Sequence, residues 1–138
     1  MTIWVRCFWD EEDVWFYFEL DADGYVIRQV ELQEPGSKAL AAASLAEWQE
    51  AQRDGRSAEY ESVYGLTAEP SISEWKGHDP QPLWADEFEI VWSTARVELQ
   101  DRQRAFSNLA VRSADRARRS VRSMPTDCGS AGHRPVNG

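Results

Sequence analysis

Residues 14–32 read VWFYFELDADGYVIRQVEL. Two runs rich in β-branched and aromatic residues flank Asp21-Ala22-Asp23-Gly24, where aspartate tolerates turn geometry and Gly24 can take the positive φ that closes a hairpin. The pattern predicts antiparallel strands over 14–20 and 25–32. Working outward, residues 2–9 have the same character and predict a first strand, joined to the second through Asp10-Glu11-Glu12-Asp13. Beyond the pair, Glu34-Pro35-Gly36-Ser37 is another turn. Residues 38–42 can return as a short fourth strand, although their alanines suit a helix equally well.

Ser44-Leu45-Ala46-Glu47 fits a capping box, with the serine hydroxyl accepting from the Glu47 amide and the Glu47 carboxylate reaching back to the serine amide. A helix over 45–53 follows, burying Leu45 and Trp48 and stopping near Asp54-Gly55. Residues 54–82 are rich in glycine and proline and read as an ordered wrap with a helical turn at 59–64. A second helix starts near Trp84. Its apolar residues Phe88, Trp92, Ala95 and Leu99 recur at helical spacing, and Val91 widens the stripe, as expected of a helix docked on a sheet. Asp86, Glu87 and Glu89 favour the positive end of its dipole. Phe106 and Leu109 continue the stripe after an interruption at Arg102. From Val111 onward large apolar residues are scarce, and the chain is expected to fray and become disordered.

The expected fold is α+β: a three- or four-stranded antiparallel meander, one main C-terminal helix on one face, and a disordered basic tail. The expected organisation is an acidic domain over 1–101 and a basic helical extension over 102–138. Charge follows this division. Residues 1–98 hold 21 acidic and 7 basic side chains, whereas residues 99–138 hold 3 acidic and 8 basic, giving the overall −9. An acidic body repels nucleic acid and attracts basic partners, or serves solubility alone. Cys7 and Cys128 form no CxxC or Cys/His cluster, which implies a reduced, cytoplasmic chain. The start lacks a signal-peptide core, and no run approaches the length of a membrane span, so no membrane partner is expected.

Four adjacent carboxylates at Asp10–Asp13 form a poor metal site, because they cannot all turn toward one cation. They read first as a solvated hairpin tip and second as a recognition tip for arginine or lysine. Asp21-Ala22-Asp23-Gly24 superficially resembles the start of a calcium loop. Counted from Asp21, however, position 6 is Val26 and position 12 is Leu32, where glycine and glutamate are needed, so it is a turn. His78 and His133 lack evident partners. No GxSxG, HExxH, P-loop or GxGxxG motif occurs, and no nucleophile meets a base. Cys7 falls in a strand as a small hydrophobe. No catalytic residues, metal or cofactor are expected.

Seven tryptophans are an unusual share for 138 residues. Alternation places Trp15, Tyr17 and Glu19 on one face of the second strand and Val14, Phe16, Phe18 and Leu20 on the other. One helix covers one face, so the second is expected to show Trp15 and Tyr17, with Trp4 or Phe8 and with Arg6 and Glu19, unless residues 54–82 cover it. Aromatic residues within a polar rim suit a protein interface. In the tail, Arg112, Arg116, Arg118, Arg119 and Arg122 could touch nucleic acid, fold back on the acidic body or remain solvated. The aromatics that single-strand binders interleave for stacking are missing there.

Three segments carry a resemblance: Val5-Arg6-Cys7-Phe8-Trp9-Asp10, Glu19-Leu20-Asp21-Ala22-Asp23-Gly24-Tyr25-Val26-Ile27-Arg28-Gln29-Val30-Glu31, and Glu87-Phe88-Glu89-Ile90-Val91-Trp92. Over residues 2–96 the chain resembles a family of small bacterial α+β domains without an assigned function, similar to immunity partners of bacterial toxins. Cys7 departs from an aromatic in that pattern. The resemblance points to an immunity-type partner of a basic toxin or nuclease; in such a non-enzymatic binding domain the acidic tip, Asp10, Glu11, Glu12 and Asp13, and the face of Trp15 and Tyr17 are expected to contact the partner. The alternatives are a small-molecule or catalytic pocket between the sheet and residues 54–82, near His78 and Asp79, and a nucleic-acid adaptor acting through the arginine tail.

Overall fold

The computed structural model describes residues 1–75, 77 and 79–123, with side chains of the last helix described to residue 113. The chain divides into two compact units, Met1–Gln103 and Arg104–Gly138.

The first unit is an antiparallel sheet with helices. The strands are β1 (Ile3–Trp9), β2 (Val14–Leu20), β3 (Val26–Gln33), β4 (Lys38–Ser44) and β5 (Gln81–Pro82), in the spatial order β4-β3-β2-β1-β5. The meander is therefore as expected, and the alanine-rich segment after Ser37 is a strand. Gly24 has φ +85°, and Asp21 Oδ1 accepts from the amides of Asp23 and Tyr25 at 2.9 and 3.0 Å. The short edge strand β5 carries no periodic signal and was not anticipated.

Helix α1 (Leu45–Arg53) and helix α2 (Ser57–Tyr64) follow β4, and α3 (Ala85–Ser123) follows β5. Half of the capping box forms: Ser44 Oγ accepts from Glu47 N at 3.3 Å. Ser44 N instead donates to Tyr60 Oη at 2.8 Å, while the Glu47 carboxylate accepts from Tyr60 Oη and pairs with Arg96. Leu45 and Trp48 are half-buried rather than buried, and Trp48 Nε1 donates to Glu61 Oε2 at 2.8 Å.

The first core forms where α3 meets the sheet. Phe88, Ala95 and Leu99 pack with Tyr17, Val30, Ala39 and Ala42, and Trp15, Leu32, Val91 and Trp92 lie around them. The register explains the choice of face. Tyr17 pairs with Val30 and Trp15 with Leu32, so β2 and β3 join into one apolar surface. The alanines of β4 then leave room for the helix to approach closely. The expectation that the Trp15/Tyr17 face stays open is therefore corrected: Tyr17 is 9% exposed and lies beneath α3. Arg102, which interrupts the stripe, donates to Ala39 O at 2.9 Å and pairs with Glu98.

The second core lies on the opposite face, where Val5, Cys7, Phe18, Leu20 and Val26 meet Phe16, Ala68, Ile72 and Trp75. Residues 65–75 form a strap across this face. It passes β4 at Gly65, whose φ is +85° and where an added Cβ would stand 2.8 Å from Ala41 Cβ. It is then fastened by Ala68 N donating to Gln29 Oε1 at 2.7 Å and Ile72 N donating to Gly24 O at 2.9 Å. Beyond it, β5 pairs with β1 through Val5↔Pro82 and Arg6↔Gln81, and Leu83 N donates to Trp4 O at 2.9 Å.

In the second unit the helix continues to Ser123. Phe106 and Leu109, expected to extend the buried stripe, are 69% and 61% exposed. The expected disorder of the terminal tail concerns residues outside those described.

Candidate functional site

Among the described residues, the strap ends at Trp75, packed against Phe18 of β2. Between the strap and the β1–β2 turn lies a groove of about 450 Å³ lined, among the described residues, by Cys7, Trp9, Glu11, Phe16, Phe18, Gln29, Ala68 and Trp75. Alternation builds it: Cys7 and Trp9 of β1 and Phe16 and Phe18 of β2 share a face. Phe16 and Phe18 are two residues apart, their rings nearly parallel at 4° with centroids 5.9 Å apart. Trp9 flanks Phe16 at 6.0 Å and 33°, and Trp75 flanks Phe18 at 4.7 Å and 50°. Two parallel phenyl rings thus lie beside two tilted indoles.

Gln29 is engaged on both sides of its amide. Its Oε1 accepts from Ala68 N, and its Nε2 donates to Glu31 Oε2 at 3.0 Å. Glu31 pairs with Phe16 across the ladder, and burial pushes its carboxyl above the ordinary range against the opposing Gln29 hydrogen bond. The Cys7 thiol is also pushed up, first by burial and then by the charge of Asp79. A protonated thiol of this kind is a weak nucleophile.

The acidic tip adjoins the groove. Asp10, Glu11, Glu12 and Asp13 are all exposed, and Glu11 both belongs to the tip and lines the groove. Backbone bonds shape the tip: Glu12 N donates to Trp9 O at 3.3 Å, Glu34 N donates to Asp13 O at 2.7 Å, and Asp13 takes φ 55°. Gln33 Nε2 donates to Glu12 O at 2.6 Å.

The six residues expected to contact a partner are therefore divided. Asp10–Asp13 stand together at the tip, whereas Trp15 and Tyr17 face α3. Trp15 is half-buried, with Phe8 4.9 Å away and the Arg6 guanidinium 4.5 Å over its ring. Trp9 is exposed on the opposite face, Phe16 and Trp75 are half-buried there, and Phe18 is buried beneath them. The alternation that grouped Phe16 with Phe18 was legible. The side that α3 would choose was not, because it depends on register.

On the α3 side, Arg28 forms a hub. Its Nε donates to Glu19 Oε1 at 2.6 Å, its Nη2 donates to Glu19 Oε2 at 3.0 Å, and it also pairs with Glu89. Its guanidinium lies 4.9 Å from both the Phe88 and Trp92 ring centroids. Hydrogen bonding from Arg28 outweighs burial and holds the Glu19 carboxyl below the ordinary range, with help from Trp4 Nε1 at 3.0 Å. Arg96 stacks 4.3 Å from Trp92 and 4.0 Å from Tyr64 and donates to Ala42 O at 2.8 Å. These cations already have partners and hold the helices to the sheet.

Among the described residues, no group of three or more His, Cys, Asp or Glu could hold a metal ion, and no helix is long and apolar enough to cross a membrane. His78, named for the alternative pocket, lies outside the described residues, as do His133 and Cys128. Arg112 is exposed, whereas the side chains of Arg116, Arg118, Arg119 and Arg122 lie outside the described set. No family model, curated protein or solved structure matches the chain.

Proposed function

We propose that this protein is a non-enzymatic binding domain for a basic protein partner, with its acidic tip and adjoining aromatic groove forming one recognition surface. The observation that carries this reading is Glu11, which joins the exposed carboxylates of the tip to the groove of Trp9, Phe16, Phe18 and Trp75. Carboxylates steer a basic partner and pair with its side chains, while Trp9 and the exposed parts of Phe16 and Trp75 supply contact area. The contact surface on the sheet is accordingly this groove rather than Trp15 and Tyr17. An immunity-type complex with a basic toxin or nuclease fits the same surface, since carboxylates occupy positions where such a partner expects phosphates.

A small-molecule site is the second reading, favoured by the groove beneath the strap. Its aromatic lining supports binding.

The test is capture from native lysate with the tagged full chain and with the Glu11→Lys/Glu12→Lys variant. One basic protein retained by the parent, and associating much more slowly with the variant at low salt, is expected. Retention of no protein, or equal association with both forms, would overturn the proposal.

A further inference from the structure

We infer that the groove between the acidic tip and the strap receives an organic cation whose charged nitrogen is wrapped in alkyl groups, such as a quaternary ammonium head. This rests on reading the groove as a binding site and specifies what it binds.

The rings come first. The Phe16 and Phe18 rings run parallel within 4°, with Trp9 inclined at 33° to Phe16 and Trp75 at 50° to Phe18. Aromatic faces carry the negative end of the ring quadrupole, and a cation held against several of them is attracted most strongly when it is desolvated. The groove volume, about 450 Å³, leaves ample room for a trimethylated nitrogen with a short arm.

The polar groups among the described lining residues then bear on the kind of cation. A guanidinium or primary ammonium entering the groove must find acceptors for its N–H groups, or lose the bonds that it made to water. The Gln29 carbonyl oxygen already accepts from Ala68 N, and its amide nitrogen already donates to Glu31. Glu11 also lines the groove and brings one carboxylate to it, which attracts a cation of any kind. A quaternary nitrogen has no N–H to satisfy and presents methyl groups to the rings, so this lining costs it little. The charge of the body agrees, with 21 acidic against 7 basic side chains over residues 1–98.

The test uses the full chain and three probes at matched ionic strength: choline chloride, its uncharged carbon isostere 3,3-dimethylbutan-1-ol, and guanidinium chloride. Binding is read by calorimetry and tryptophan fluorescence. Choline is expected to bind about tenfold more tightly than the isostere and more tightly than guanidinium. Trp9→Leu is expected to weaken choline binding at least fivefold or so, while circular dichroism stays unchanged because Trp9 is 39% exposed. Trp75→Leu supplies a second variant.

Equal affinity for choline and its isostere would show a merely apolar groove and overturn the inference. Absence of choline binding, or binding indifferent to both tryptophan changes, would do the same. Failure here is separable from failure of the protein-binding proposal. A basic partner lost on reversing Glu11 and Glu12 would leave that proposal standing without an ammonium pocket. Choline binding with no captured protein would uphold the pocket alone.

Discussion

The indole of Trp75 lies 4.7 Å from the ring of Phe18, tilted at 50°, so a residue of the strap completes an aromatic surface that β2 begins. Among the described residues, the same strap covers Val26 and Leu20, while Trp9 is 39% exposed. One face of the sheet is sealed by α3, and the other is sealed at one end and open at the tip end. That asymmetry is the basis of the functional reading.

Phe88 is fully buried between α3 and the sheet. Phe88→Ala should cost about 3–5 kcal/mol by urea denaturation, through lost transfer energy and the cavity left behind. A cost below about 1 kcal/mol would mean that α3 does not seal this face.

Arg28 and Glu19 are mostly buried, with side-chain exposures of 19% and 12%. Arg28→Ala leaves the Glu19 carboxylate with the Trp4 indole and no cation, and should destabilise by about 2–3 kcal/mol at neutral pH. The sign with pH follows from the depressed Glu19 carboxyl. Its contribution is present above the unfolded value and is lost as pH falls through the folded one. The parent should therefore lose stability in acid more steeply than Arg28→Ala, as measured by denaturation from pH 7 downward.

Glu31 behaves oppositely. Burial raises its carboxyl, so between the ordinary and the raised value the folded state binds the proton more readily, and stability falls as pH rises through that window. Glu31→Gln keeps an oxygen for the Gln29 amide and removes the buried charge. It should be at least as stable as the parent at pH 7 and show a flatter profile above the ordinary carboxylate range. A variant clearly less stable at pH 7 would mean that the Glu31 charge is well paired.

Gly65 tests the strap. An alanine there meets both an unfavourable positive φ and a Cβ contact of 2.8 Å with Ala41, whereas Gly36, at φ +94°, has nothing within 4 Å. Gly36→Ala should cost about 1 kcal/mol and Gly65→Ala about 1–3 kcal/mol more, measured in the same denaturant series. Equal costs would show that the crossing is loose.

Much of the fold was legible because its signals are local. The turn at Asp21–Gly24, the alternation in 14–20, the serine cap at Ser44 and the stripe Phe88–Leu99 are each set within a few residues. What could not be read depended on distant contacts. Both faces of β2 are aromatic, and only the pairing of Tyr17 with Val30 and of Trp15 with Leu32 makes one face the apolar one that α3 takes. Once the register is known, Gln29 and Glu31 mark the other face as the one left partly open. The reciprocal half of the capping box failed for a similar reason, since Tyr60, sixteen residues on, takes the Ser44 amide. The carboxylate tip was visible in the sequence. Its junction with Trp9, Phe16 and Trp75 needed the strap in place.

The most direct test follows the indole N–H signals of the seven tryptophans by nitrogen-15 NMR while choline is added to the full chain. The account predicts that Trp9 and Trp75 shift with a shared saturation curve, while Trp4, Trp15 and Trp92, on the α3 side, stay in place. Shifts centred on Trp15 and Trp4, or no shifts at all, would contradict it.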